Sequence, residues 1–240
     1  MGTSTGLAAF PDGPKGHAPE IRNAYRFLRG AHRSADGLLV AAANMADLRR
    51  SQNAHTKGRP SETEVDLHRS AIVLTSSGID AAMTRLLWDV KPMLIAHAGS
   101  SAHAAYNAYL KEQLAKKGGA DSDFRAAVLD ADPARALVTH YLQVKARASF
   151  QGSRDLKSRI KNTMGVPNHR IPDTRLAGLD SFFVARNEIA HAMDYEQPLN
   201  SSTRGRRHRS FEETRRLCDS AFAISADLTH AVADVTAVLK

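Results

Sequence analysis

From Ile21 to the C-terminus, apolar residues recur at steps of three and four, the spacing that lines one face of an α-helix. The first such stretch carries Tyr25, Leu28, Leu38, Leu39 and Met45 with alanines between them, and Gly30 and Gly37 are points where it would kink. A polar run with Gly and Pro, residues 49–64, reads as a loop. Within it, Ser61 followed by Glu64 has the form of a capping box. The helix it opens carries Leu67, Ile72, Leu74, Ile79, Met83, Leu86, Leu87 and Trp88, and Pro92 is expected to end or bend it. A third stretch, about 101–117, holds Tyr106, Tyr109 and Leu110 and stops at Lys117-Gly118-Gly119. Pro133 suits the first turn of a fourth, with Leu137, Val138, Tyr141, Leu142 and Val144 behind it.

A short helix near 154–163 follows, then a turn-rich piece at 165–174 and a helix begun by Asp173 or Thr174. A polar loop at 196–210 precedes a closing helix with Phe211, Leu217, Phe222, Ile224, Leu228, Val232, Val235 and Leu239. No strand alternation and no internal repeat stands out. The pattern predicts an all-α fold, one helical bundle without a sheet over residues 19–240. Residues 1–18, rich in Gly, Pro and Thr, read as a flexible lead-in.

Composition adds a sign to this picture. Thirty-three Lys and Arg against 25 Asp and Glu give a formal charge of +8, which suits an anionic partner such as nucleic acid, a nucleotide or an acidic protein. The single cysteine, Cys218, excludes an internal disulfide and a cysteine-built zinc site, and its apolar neighbours predict a buried, inert thiol. No apolar run approaches the roughly 18 residues of a membrane span. The first residues show no charged region followed by an apolar block, so a soluble, cytoplasmic protein is expected.

The candidate chemistry lies in 181-SFFVARNEIAHAMDY-195, where Arg186, Asn187, Glu188 and His191 interrupt an apolar and aromatic segment. On a helix Asn187 and His191 are one turn apart and about 40° apart in projection, whereas Arg186 is about 140° from His191. The ordinary reading of such a spacing is a helix passing from core to surface, with Arg186 paired to an acid and His191 a satisfied interior histidine. A site using both Arg186 and His191 needs a bent arginine, a deformed helix or a second copy of the helix facing the first.

Arg186-Asn187-Glu188-Ile189-Ala190-His191, entered through Phe182-Phe183-Val184-Ala185, closely resembles the Arg-Asn-x-x-x-His signature of the HEPN superfamily, whose members are α-helical bundles and in many cases metal-independent ribonucleases. The likeness is strongest to branches linked to bacterial RNA-targeting toxin and defence systems. It implies an endoribonuclease with no metal and no cofactor, with Arg186, Asn187 and His191 catalytic. It also implies a homodimer whose motif helices line one cleft, and an antitoxin or neighbouring regulatory protein that restrains the activity. In the HEPN toxins silenced by nucleotidylation a tyrosine follows the histidine by two residues; Met193 stands there in this chain, and the nearest tyrosine is Tyr195.

The chemistry suits the residues. RNA carries its own nucleophile, the 2′-hydroxyl. Histidine moves protons near neutral pH, and arginine presents a permanent forked charge to phosphate oxygens. The products expected are a 2′,3′-cyclic phosphate and a 5′-hydroxyl. Asp80, on the upstream helix, is a candidate to hold Arg186 or His191. Glu188 is a candidate to bridge a cation across the dimer, and Tyr195 to stack on a base. Arg204, Arg206, Arg207 and Arg209 form the densest basic run and are candidate phosphate contacts; Lys157, Arg159 and Lys161 form a second, weaker patch. Two other readings compete. Glu188-x-x-His191 and Asp227-x-x-His230 loosely resemble the carboxylate–histidine steps of di-iron bundles. A HEPN-like module that binds RNA, nucleotide or a partner without cutting is the other.

Overall fold

The computed structural model describes residues 6–14, 19–52, 60–116, 119, 121–197, 199 and 205–238. The long helices are α1 (Pro19–Gln52), α2 (Glu62–Ala96) and α9 (Phe211–Ala237). Between them run α3 (Ser101–Ala115), α4 (Ser122–Val128), α5 (Pro133–Ala146), α6 (Ser153–Asp155), α7 (Asp173–Ala177) and α8 (Asp180–Ala192). α6 passes directly into a π-helical stretch, Leu156–Asn162. The fold is all-α: among the described residues the only β-type pairing is an isolated antiparallel bridge between Tyr195 and Arg206.

Local chemistry explains most helix starts. Ser61, Ser100, Asp121, Asp132 and Ser210 each accept the backbone N–H three residues on, satisfying a donor that the helix leaves free. Glu64 returns the bond to Ser61 and also takes Arg49 of α1, which holds its carboxyl below the usual range. The capping box expected there is therefore formed, and it ties the end of α1 to the start of α2. α1 runs through Gly30 and Gly37, and α2 continues past Pro92 for a further turn. α4, too short to show a period, was not legible in the pattern. The helix expected from Asp173 is divided at Gly178. Its Cα lies so close to Arg175 O and to Ile224 of α9, 3.1 Å from each for an added Cβ, that a side chain would be crowded.

α2 and α9 form the centre. α1 and α8 both pack on them, and α3 and α5 close on α2. One continuous apolar core joins Leu28 and Leu39 of α1, Ile72, Ile79 and Met83 of α2, Phe182 and Phe183 of α8, and Phe222, Leu228 and Val232 of α9. A second cluster, Tyr106, Tyr109, Phe124 and Tyr141, sits under α3–α5. Residues 6–14, expected to be flexible, lie across α1 and α9: Leu7 N–H donates to Asp36 at 2.7 Å, Ala8 N–H to Asp219 at 2.9 Å, and Phe10 packs its ring against Phe222.

α1 and α2 approach closely at Gly78, where an added Cβ would fall onto Cβ of Ala31. Gly78→Ala should therefore destabilise the protein by about 1–3 kcal/mol through overpacking, even though alanine is the better helix former. Adding Ala31→Gly should recover most of that loss in urea unfolding. A Gly78→Ala protein as stable as wild type would show that the helices separate freely there.

Lys91 is an unusual core residue. It is fully buried in α2, donates to Thr163 O, and lies 5.4 Å from the centre of the Tyr141 ring, which Lys145 also faces. Burial, with Lys145 adding repulsion, lowers its pKa from 10.5 to about 7. Between those two values the unfolded chain binds more protons than the folded one, so this residue makes stability rise with pH across that window and destabilises most below pH 7. Lys91→Met should be the more stable protein at pH 6, and the difference from wild type should shrink as pH climbs to 10. A difference that stays constant with pH would contradict this.

Candidate active site on the motif helix

α8 turns Phe182, Phe183, Ala185 and Ile189 into the core. Ser181, Val184 and His191, at helical spacing, form its outward face, with Asn187 and Glu188 half-buried at its flank. His191 is thus exposed, not an interior histidine. Arg186, also half-buried, donates from Nη1 to Asn187 Oδ1 at 2.9 Å. The structure brings Arg186 and Asn187 together directly. Among the described residues no hydrogen bond joins either of them to His191.

The chain leaves α8 abruptly. Met193 and Asp194 adopt the left-handed conformation, φ 49° and 63°, and the Asp194 N–H reaches back to Glu188 O at 3.0 Å. This is a Schellman-type ending made without glycine. What holds it is an ion-pair clamp. The fully buried Asp194 carboxylate accepts from Arg69 Nε of α2 at 3.0 Å and from Arg209 Nη2 at 2.8 Å. Arg209 also donates to Glu188 at 2.5 Å and to Glu213 at 3.3 Å. Arg207 pairs with the other Glu188 oxygen at 3.2 Å, and its N–H bonds Asp194 O at 2.8 Å. Arg206 donates to Met193 O at 3.0 Å and pairs with Asp66 at 2.9 Å. Burial alone would lower the Arg209 pKa; the bonds to Asp194 and Glu188 outweigh it and hold the group above its ordinary value.

These contacts revise several sequence expectations. Arg206, Arg207 and Arg209 were candidate phosphate contacts; they face inward onto acids, and Arg209 is buried, because the loop folds back over the end of α8. Arg204 lies outside the described residues. Glu188 bridges cations within its own chain. Asp80 does not hold the motif: its Oδ1 accepts the Phe150 N–H at 2.6 Å and so fixes the segment after α5. Tyr195, 38% exposed, pairs its backbone with Arg206 and leaves its ring accessible beside α8.

The weaker basic patch is likewise committed. Lys157 and the buried Lys161 both hold Asp173, and Arg159 caps the end of α5 through Lys145 O at 2.8 Å and stacks on Phe150. The acids of the di-iron reading are taken too, Glu188 by Arg207 and Arg209 and Asp227 by Arg175 at 2.7 Å. Cys218 is buried, and burial raises its thiol pKa to about 12, so it is the inert thiol expected. Among the described residues no helix is long and apolar enough to cross a membrane.

Sequence reading missed Asp194 and Arg69. One signal was available: an acid just past a helix C-terminus opposes the helix dipole and calls for a cation. Its partner Arg69 is 125 residues away in the chain. No family model matches the chain, and no curated protein or solved structure matches it.

Proposed function

We propose that this chain is a metal-independent endoribonuclease of the HEPN type, acting as a toxin or defence effector. The observation that carries the reading is the bonded Arg186–Asn187 pair on the same short helix as a solvent-facing His191. His191 accepts the proton of the RNA 2′-hydroxyl as that oxygen attacks phosphorus. Arg186 stabilises the charge gathering on the non-bridging oxygens. The bond from phosphorus to the 5′-oxygen breaks, and that oxygen takes a proton. Asn187 positions the guanidinium through its carbonyl oxygen. The clamp on Glu188 and Asp194 neutralises two carboxylates at the C-terminal end of α8, which otherwise would repel phosphate.

One helix presents one such histidine, whereas transfer needs an acid and a base. In this reading a second copy supplies the other, its α8 opposed to the first across the face that carries Ser181, the exposed Val184 and His191. The same feature favours a second reading, a module that binds RNA without cutting. Incubating single-stranded RNA with the protein in excess EDTA separates the two: fragments ending in 2′,3′-cyclic phosphate support the nuclease, and intact RNA the binding module.

A further inference from the structure

With Arg206, Arg207 and Arg209 turned onto acids, the available positive charge lies elsewhere. Arg22, Arg26, Arg29 and Arg33 stand on α1 at steps of four, three and four residues. All four are exposed, and among the described residues none forms an ion pair or hydrogen bond. At about 100° per residue they fall within about 60° of one another and extend over about 16 Å of helix. The opposite face, with Ile21, Leu28 and Leu39, is buried in the core. The acids of α1 leave the stripe clear: Asp36 accepts the Leu7 N–H, Asp47 pairs with Arg50 further along, and Glu20 projects about 160° away from Arg22. Gly30 and Gly37 flank it, and an added Cβ at either would meet nothing within 4 Å, so the surface beside the guanidinium groups is open.

We propose that this arginine stripe binds the phosphate backbone of an RNA strand. The stripe is separate from the α8 site; both helices pack on α2 and α9. A membrane surface is the weaker match, because an interfacial helix must bury an apolar face in lipid, and within the span of the stripe Phe27 is the one exposed large apolar residue, Ile21 and Leu28 being inside the bundle. The identity of the polymer rests on the nuclease reading; the polyanion-binding surface itself does not. Its effect is to hold a long substrate outside the point of cleavage, adding affinity and no chemistry.

The test uses the full chain carrying His191→Ala, so that RNA stays intact, and a labelled single-stranded RNA of about three helix-lengths titrated over a salt series. Each phosphate contact on a single strand contributes about 0.7 to the log–log salt slope, so Arg22→Gln, Arg26→Gln, Arg29→Gln and Arg33→Gln together should lower the slope by about 2 to 3 and weaken low-salt binding at least tenfold. Each adjacent pair of substitutions should give about half the change in slope, which keeps the test intact if the fourfold variant folds poorly. An unchanged slope, or no RNA binding by the parent at low salt, overturns the proposal. So does loss of phosphatidylserine-vesicle binding with RNA binding untouched. A wild-type protein that cuts RNA while the stripe variants keep the parent slope sinks the stripe alone; one that binds through the stripe but never cuts sinks the nuclease alone.

Discussion

Asp194→Ala should lower the unfolding free energy by about 3–5 kcal/mol, the loss typical when one partner of a buried ion pair is removed. The reason is what remains. Arg69 and Arg209 are 4% and 6% exposed, and both aim nitrogen atoms at the missing carboxylate. Arg69 keeps Asp66 and Arg209 keeps Glu188, so neither is wholly stranded, but two cations then share a buried space with no anion between them. The left-handed turn adds to the effect, since alanine tolerates positive φ less well than aspartate. Against the roughly 5–15 kcal/mol that holds a typical domain together, this is a large fraction. Asp194→Asn, which keeps shape, an acceptor and the turn, should fall between wild type and alanine. Urea unfolding followed by helix signal measures all three; an alanine variant within 1 kcal/mol of wild type would show that the clamp stabilises nothing.

The contrast between the clamp and the helix caps shows which parts of this molecule were legible in its sequence. Ser61 and Glu64, or Pro133 after Asp132, sit within four residues of the groups they satisfy, so the pattern states the structure directly. The apolar period located the long helices for the same reason. Asp194 and Arg69, Ala8 and Asp219, and Asp80 and Phe150 meet only because the bundle folds, across 125, 211 and 70 residues. Nothing local marks such pairs. The basic loop shows the consequence: Arg206, Arg207 and Arg209 read as a solvent-facing charge run until the acids of α2, α8 and α9 close on them. The motif stood out because its residues share one helix. Its orientation, with His191 outward and Arg186 tied to Asn187, came only with the packing of Phe182, Phe183 and Ile189.

His191→Ala and Arg186→Ala should each reduce RNA cleavage by about 10²–10⁴-fold, the range for loss of a proton-transfer group or of a charge that stabilises the transition state. His191 is exposed at the end of α8, so its truncation leaves the core intact and the folded fraction unchanged. Arg186 is half-buried and bonds Asn187; its loss frees one side-chain acceptor, and a modest drop in stability is expected alongside the larger kinetic effect. Asn187→Ala should cost less than either, since in the proposed mechanism it holds Arg186 and does not meet the reacting atoms. Arg186→Lys separates charge from geometry: a lysine keeps the cation but not the fork, and it should restore only a small part of the rate.

Metal-free cleavage by the α8 residues is tested by one measurement: the rate of single-stranded RNA cleavage in excess EDTA by wild type, His191→Ala and Arg186→Ala, with thermal unfolding recorded on the same samples. Wild type should leave 2′,3′-cyclic phosphate and 5′-hydroxyl ends, and both folded variants should lose at least a hundredfold in rate. Folded variants that cut at the wild-type rate would contradict this and leave Arg186, Asn187 and His191 as structural residues of α8.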